Sequence, residues 1–362
     1  MQMENSGVPD NEIKTDRERK KSSKKRNLMF SLHGVAFAIG FTILAIVIYR
    51  IGYRDLLDSV SNVGWGILLI IALNLTRHLL RAATLYLAVS PELRTFKYRS
   101  AVAARFGGEA MTIFSFVGPF LGDATKVMLL KKNLTLTEGA SAIIFDNIIY
   151  YVTVILMVLS GIALLVWTYG SSSSTETQVL IAIVSVGILV FTFISLAIMF
   201  RVTPVTHFFD FLHKRGMAPG FIVRRRATIL NIENNVFQFY HNRPRDFFTI
   251  FGISAGVHLI SVTEVFFAMR FLGYDASFTS SFIIESLTKV INAAFSFIPG
   301  TIGVYEGGNG LILKTLGYTT TVGVALALVR RGAILFATSI GLSVLIYRTA
   351  TRTRDLVRPR TP

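Results

Sequence analysis

Four polar residues stand inside an apolar run. Asn74, Arg77, His78 and Arg81 recur at i, i+3, i+4 and i+7, the spacing that sets side chains on one face of a helix. Two guanidinium groups one turn apart repel each other, and the pair would prefer an anionic partner. The planar guanidinium matches phosphate and carboxylate bidentately. Snorkelling toward the cytoplasmic end of the run is the alternative. Arg330 and Arg331 have less choice. In a run starting near Thr320, Arg330 is about ten residues in, or about 15 Å deep at 1.5 Å per residue. An ionisable group at that depth costs about 2.5–3.5 kcal/mol and must face protein or water. Arg77, Arg81, Arg330 and Arg331 are therefore candidates for binding a lipid phosphate. Structural pairing of the last two with Glu306, Glu285 or Asp146 is the other reading.

A second set of candidates surrounds two breaks in apolar sequence. Val117-Gly118-Pro119 interrupts 106–130, and Ile298-Pro299-Gly300 interrupts 287–313. Proline lacks the N–H and glycine loosens the backbone, so a helix stops at each. Pro119, and Pro299 with Gly300 and Gly303, would free the N-terminus of a following half-helix, whose exposed N–H groups attract anions. Asp123 and Lys126 lie just inside the first half-helix and Glu306 inside the second. With Asp146, Glu285 and Lys289 they read as gate, headgroup or proton-coupling residues, or for the hairpin acids simply as helix caps. Glu285 and Lys289, at i and i+4, can also satisfy one another. Arg105 and Glu109 read as interfacial. Ser254, His258 and Ser261 form a polar stripe with Glu264 close by, for which helix packing is the ordinary role.

These residues need a membrane scaffold. The 362-residue chain is 52% hydrophobic and 16% charged, against about 25% charged in an average globular domain, and its mean hydropathy is +0.56. That excludes a disordered chain, a collagen-like repeat and a secreted disulfide scaffold. With no cysteine, disulfides, thiolate zinc, iron–sulfur clusters and a cysteine nucleophile are excluded as well. A bilayer core about 30 Å thick needs about 20 apolar helical residues. The stretches 28–49, 64–89, 147–169, 178–200, 247–269 and 319–347 qualify. The first follows a highly charged tail and does not read as a signal peptide. Each half of the two interrupted stretches is too short to cross alone, so both read as re-entrant hairpins whose freed backbone must be buried or line a wet cavity. The alternative is a Pro-kinked span.

The net charge of +16 is unevenly placed. Lys and Arg gather in the N-terminal tail, in 94–105, at Lys126, Lys131 and Lys132, in 201–245 and from Arg348 onward. The facing loops hold only Arg50, Arg54, Arg270 and Lys314. The positive-inside rule then puts both termini in the cytoplasm, with the first hairpin entering from inside and the second from outside. The hairpins also resemble one another. Phe114-Ser115-Phe116 precedes Gly-Pro and Gly122-Asp123, and Phe295-Ser296-Phe297 precedes Ile-Pro-Gly, Gly303 and Glu306. Each is followed by a span with a polar pair, Asp146-Asn147 and Arg330-Arg331. Broken helices in an inverted repeat are the architecture of secondary transporters.

The expected fold is thus an all-α polytopic membrane protein: six full transmembrane helices plus two re-entrant helical hairpins in an inverted repeat. A basic, disordered cytoplasmic tail (1–27) precedes the transmembrane domain (28–347), a cytoplasmic amphipathic segment (201–245) suits anionic lipid, and a basic cytoplasmic tail (348–362) follows. No Walker loop, zinc-protease motif or serine elbow appears. Catalytic residues, metal ligands, cofactors and nucleic-acid partners are not expected.

The stretch Ile298-Pro299-Gly300-Thr301-Ile302-Gly303-Val304-Tyr305-Glu306-Gly307-Gly308, with Ala325 to Arg330 downstream, resembles the signature of the lysylphosphatidylglycerol synthase transmembrane-region family. Its members are also described as flippase-like membrane proteins. Pro119, Gly122-Asp123 and Lys126 resemble the family's Pro…Gly-Glu…Arg element, with Asp for Glu and Lys for Arg. The Arg77/Arg81 region resembles its arginine-bearing second helix. Asp146-Asn147 departs from the family's habit of Arg after an acid.

The resemblance, which covers most of 30–350, implies two inverted repeats and movement of a phospholipid or polyprenyl-linked lipid between leaflets of the cell membrane. Neither the soluble aminoacyl-transferase domain of some relatives nor lipid aminoacylation is expected. The resulting reading is a translocase, not an enzyme, working through a basic midplane cavity without ATP hydrolysis. Its partners are anionic or polyprenyl-phosphate lipids, with a homo-oligomer and a separate lipid-modifying enzyme left open. An ion-coupled small-solute transporter is the alternative, and a polyprenyl-phosphate-dependent membrane transferase a more distant one.

Overall fold

Local sequence sets the helix ends. The computed structural model describes residues 61–115, 117–169 and 242–357, with a few isolated positions elsewhere. Helix α1 spans Gly66–Ala88, α2 Tyr98–Ile113, α3 Pro119–Leu130 and α4 Leu136–Tyr169; α5 spans Pro244–Phe271, α6 Phe278–Ala294, α7 Val304–Thr315 and α8 Thr320–Val357. Pro119 and Pro244 open their helices, where a missing N–H costs nothing. Before α4, Thr135 and Glu138 exchange side-chain and backbone hydrogen bonds as a capping box. The Ser277 hydroxyl accepts from the Ser280 N–H at the start of α6. At the other end of α1, Arg94 and Arg243 donate to the last carbonyls, Arg94 Nη2 to Val89 at 2.9 Å and Arg243 Nη2 to Leu87 at 3.2 Å.

Four of the described helices are long and apolar enough to cross a membrane: Gly66–Ala88, Leu136–Thr168, Pro244–Phe271 and Thr320–Arg348. The protein is an all-helical, multi-pass membrane protein across the described residues. The expected spans 28–49 and 178–200, the N-terminal tail and nearly all of 201–245 lie outside those residues. One boundary is corrected: the span expected at 147–169 begins at Leu136. Asp146 interrupts the charge-free window but not the helix, because its carboxylate is buried against Arg81.

The interrupted stretches double back. In the first, Gly108 and Gly122 pack backbone to backbone: a Cβ on Gly108 would lie 2.8 Å from the Gly122 carbonyl oxygen, and one on Gly122 would lie 2.7 Å from that of Gly108. In the second, a Cβ on Gly308 would meet the Ile291 side chain, and the Thr288 hydroxyl donates to Asn309 Oδ1 at 3.0 Å. A straight kinked span would bring neither pair together. With 12 to 17 residues each, these helices reach about 18–25 Å at 1.5 Å per residue, short of a bilayer core. They start at Tyr98 and Phe278, earlier than hydropathy indicated. Pro299 is also corrected: it opens a single 3-10 turn, Pro299–Thr301, and α7 starts only at Val304 after Gly303.

Two copies of one pattern result: long helix, hairpin, long helix. The neighbours repeat too. α1 packs on α2 as α5 does on α6, α8 on α2 as α4 on α6, and α1 on α8 as α5 on α4. α1 and α5 run antiparallel at the centre, since Gly66 meets the Phe271 ring while Arg243 reaches Leu87. Hairpin α2–α3 continues from the Ala88 end and hairpin α6–α7 from the opposite, Phe271 end. They enter from opposite ends of the bundle, and their tips meet. A Cβ on Gly118 would lie 2.8 Å from the Ser296 carbonyl oxygen, and one on Gly300 would lie 3.6 Å from Ile113 Cγ2.

Candidate functional site

The charged residues of the interior meet around this junction. Glu264 of α5 is the hub. It is 1% exposed, and it pairs with Arg77 Nη1 of α1 at 2.6 Å and with Arg330 Nε of α8 at 2.9 Å. Arg330 Nη2 also lies 2.8 Å from Glu285 of α6, whose other oxygen is 2.9 Å from Lys289 Nζ. Arg77, Glu264, Arg330, Glu285 and Lys289 thus form a continuous ladder across four helices. Burying such pairs is costly unless each charge is met, and here three cations share two carboxylates.

Arg81 is held apart. Its Nη1 is 3.0 Å from Asp146 Oδ1, and its guanidinium lies over the Tyr150 ring at 4.1 Å. Tyr150 in turn lies tilted against His258, whose Nε2 is 2.9 Å from the Thr153 hydroxyl. Arg331 turns to the second hairpin, where its Nε pairs with Glu306 and its Nη1 donates to the Gly300 carbonyl at 2.9 Å. Glu306, fully buried, also accepts from the Gly303 N–H at 2.8 Å, the capping role that its position at the start of α7 allowed. On the first hairpin, Asp123 accepts from Lys126 Nζ and from Asn147 Nδ2, both at 2.7 Å.

The four arginines expected to act together therefore divide. Arg77 and Arg330 share Glu264, while Arg81 and Arg331 each hold a separate carboxylate. Asp146 meets neither Arg330 nor Arg331, and Glu306 meets Arg331 but not Arg330. Lys126, expected among the cytoplasmic charges, is buried against Asp123. Arg105 and Glu109, expected at the interface, pair at 3.1 Å midway along α2. Glu264 is the residue that sequence reasoning undervalued. Its signal was a lone acid within the span 247–269, whose partners on α1 and α8 are remote in sequence.

The two repeats carry the same pairs with opposite signs. Arg81 of α1 meets Asp146 of α4, and Glu264 of α5 meets Arg330 of α8. Arg105–Glu109 on α2 answers to Glu285–Lys289 on α6, each pair starting at the eighth residue of its helix. The next residues along, Asn147 and Arg331, each reach back to the acid of their own hairpin.

Not every donor is used. Arg77 Nε, Arg81 Nε, Arg105 Nε, Arg330 Nη1, Arg331 Nη2 and Asn74 Nδ2 are buried without an acceptor, and Asn74 Oδ1 is buried without a donor. A buried donor left without an acceptor is costly, and a phosphate or carboxylate oxygen is the acceptor that fits a guanidinium. Among the described residues, no three His, Asp or Glu side chains gather as metal ligands.

Residues 32–341 match the family described as Lysylphosphatidylglycerol synthase TM region. No curated protein and no solved structure matches the chain.

Proposed function

This chain belongs to the lysylphosphatidylglycerol synthase TM-region family, and from that premise we propose that it is a lipid translocase. It moves a phospholipid or a polyprenyl-linked lipid between leaflets without ATP hydrolysis. The observation that carries this reading is the placement of Arg77 Nε, Arg330 Nη1 and Arg331 Nη2, buried donors without acceptors, beside two opposed hairpins whose tips touch. A lipid phosphate is the anion that such donors take from a bilayer.

Each residue then has a task. Arg77 and Arg330 bind the phosphate, with Glu264 holding them at one depth across α1 and α8. The hairpin tips separate the two sides of the membrane, and rocking one repeat against the other exposes the site to each leaflet in turn. Arg331, Glu306 and the Gly303 cap keep the second tip in shape, while Asp123, Lys126 and Asn147 fasten the first hairpin to α4. Glu285 and Lys289 extend the charged face, and Arg81–Asp146 is a structural clamp. The protein sits in the cell membrane with both termini cytoplasmic.

The test is a leaflet assay. Protein in sealed vesicles carrying headgroup-accessible fluorescent phosphatidylglycerol is treated with a membrane-impermeant quencher. Translocation predicts that the protected fraction falls over time relative to protein-free vesicles. An unchanged protected fraction, with a soluble solute exchanging instead, would favour an ion-coupled solute transporter.

A further inference from the structure

Resting on the translocase reading, we infer that the ladder of Arg77, Glu264, Arg330, Glu285 and Lys289 selects lipids by the charge of the phosphate. It takes a phosphodiester with one negative charge in preference to phosphomonoesters and diphosphates.

The inference comes from counting charges where they are held. At the depth of the hairpins, ion pairs of the described residues balance one to one at Arg81–Asp146, Arg105–Glu109, Lys126–Asp123 and Arg331–Glu306. The ladder does not balance: three cations share two carboxylates, leaving one surplus positive charge. Its counterpart in the other repeat is different. Arg81–Asp146 and Arg105–Glu109 stay separate neutral pairs, so the surplus is confined to the ladder.

Access supports the same conclusion. The carboxylates of Glu264 and Glu285 are 1% and 3% exposed, whereas the side chains of Arg77 and Lys289, at the two ends, are 22% and 12% exposed. A ligand therefore meets cations, with the acids behind them. Within the ladder, Arg77 Nε and the deeply buried Arg330 Nη1 are the donors still lacking acceptors. One negative charge neutralises the ladder. A second would remain uncompensated in a low-dielectric interior, where an unpaired charge is strongly disfavoured. A phosphomonoester carries about −1.5 to −2 charges at neutral pH, so it exceeds what the ladder can meet.

The experiment is competitive binding to the full chain in non-ionic detergent, with fluorescent phosphatidylglycerol as probe. The competitors are unlabelled phosphatidylglycerol, phosphatidic acid, a polyprenyl diphosphate and soluble glycerophosphoglycerol. Phosphatidylglycerol is expected to compete about tenfold or more better than the two lipids of higher charge, about 1.4 kcal/mol. The soluble phosphodiester is expected to compete poorly; equal competition by it overturns the assignment to lipid.

E285Q raises the surplus to two and should close or reverse the gap between phosphatidylglycerol and phosphatidic acid. K289Q removes the surplus, keeps every pair of Arg77 and Arg330, and should weaken phosphatidylglycerol about tenfold; it serves if E285Q does not fold. Equal binding of singly and doubly charged lipids to the wild type, or an unchanged phosphatidylglycerol affinity in K289Q, overturns the inference and leaves the translocase reading standing. The translocase reading fails instead if the leaflet assay shows no movement of any lipid.

Discussion

Gly118 faces the carbonyl oxygen of Ser296 across the junction of the hairpins, so close that a Cβ at residue 118 would lie 2.8 Å from that oxygen. Gly118 also has φ +46°, a backbone region that side chains with a Cβ rarely adopt. Neither constraint can be relieved by a rotamer change. Gly118→Val is expected to lower stability by about 1–3 kcal/mol, read as a lower melting temperature in detergent. Gly252→Ala, at a helical position with nothing within 4 Å, should be neutral or stabilising by up to about 1 kcal/mol.

Helix packing gives a second contrast. Gly323 of α8 lies against the backbone of α7, where a Cβ would stand 2.3 Å from the Asn309 carbonyl oxygen. Gly323→Val must push α7 from α8 and should cost about 1–3 kcal/mol through overpacking. Thermal unfolding followed by circular dichroism checks it.

The Arg81–Asp146 pair is predicted to be structural. Asp146→Asn removes the negative charge facing the buried Arg81 guanidinium, whose other described contacts are the neutral Thr84 and Tyr150, and such a loss costs about 3–5 kcal/mol. The charge swap R81D/D146R restores the pair with the signs used at Glu264–Arg330. It should recover a coupling of about 0.5–3 kcal/mol in a double-mutant cycle. Additive losses in that cycle would contradict the prediction.

Entry of the hairpins from opposite membrane faces is a prediction that labelling can read, because the chain has no cysteine. Asp275→Cys, in the loop between α5 and α6 where the side chain is 90% exposed, should react with an impermeant maleimide added outside cells. Lys132→Cys, exposed between α3 and α4, should react only after permeabilisation. Labelling of both from one side would contradict the inverted arrangement.

Much of this was legible because breakers and charges in apolar sequence have few explanations. Pro119 and Pro299 marked where the chain turns between short helices, and the recurring polar pair marked the matching helix order of the two halves. The helix starts at Tyr98 and Phe278 were not legible. Arg99, Arg105, Ser280, Ser281 and Glu285 lower the hydropathy there, yet Arg105, Ser280, Ser281 and Glu285 have partners within the protein, so hydropathy was the wrong gauge. The partners were hidden for another reason: an arginine in a span predicts an acid without saying which. Arg330 pairs with Glu264 and Glu285, while the next residue, Arg331, takes Glu306 of the hairpin helix α7 that packs along α8. The sign reversal between repeats became visible only when helices were matched by place.

The most direct test of the central claim is lipid translocation by Arg77→Gln in sealed vesicles. Glu264 keeps Arg330 in that variant, so the fold retains a paired hub while the surplus cation is gone. The account predicts a melting temperature close to wild type and a translocation rate lower by about tenfold or more, at 1.36 kcal/mol per tenfold. A folded Arg77→Gln protein that moves phosphatidylglycerol at the wild-type rate would contradict it.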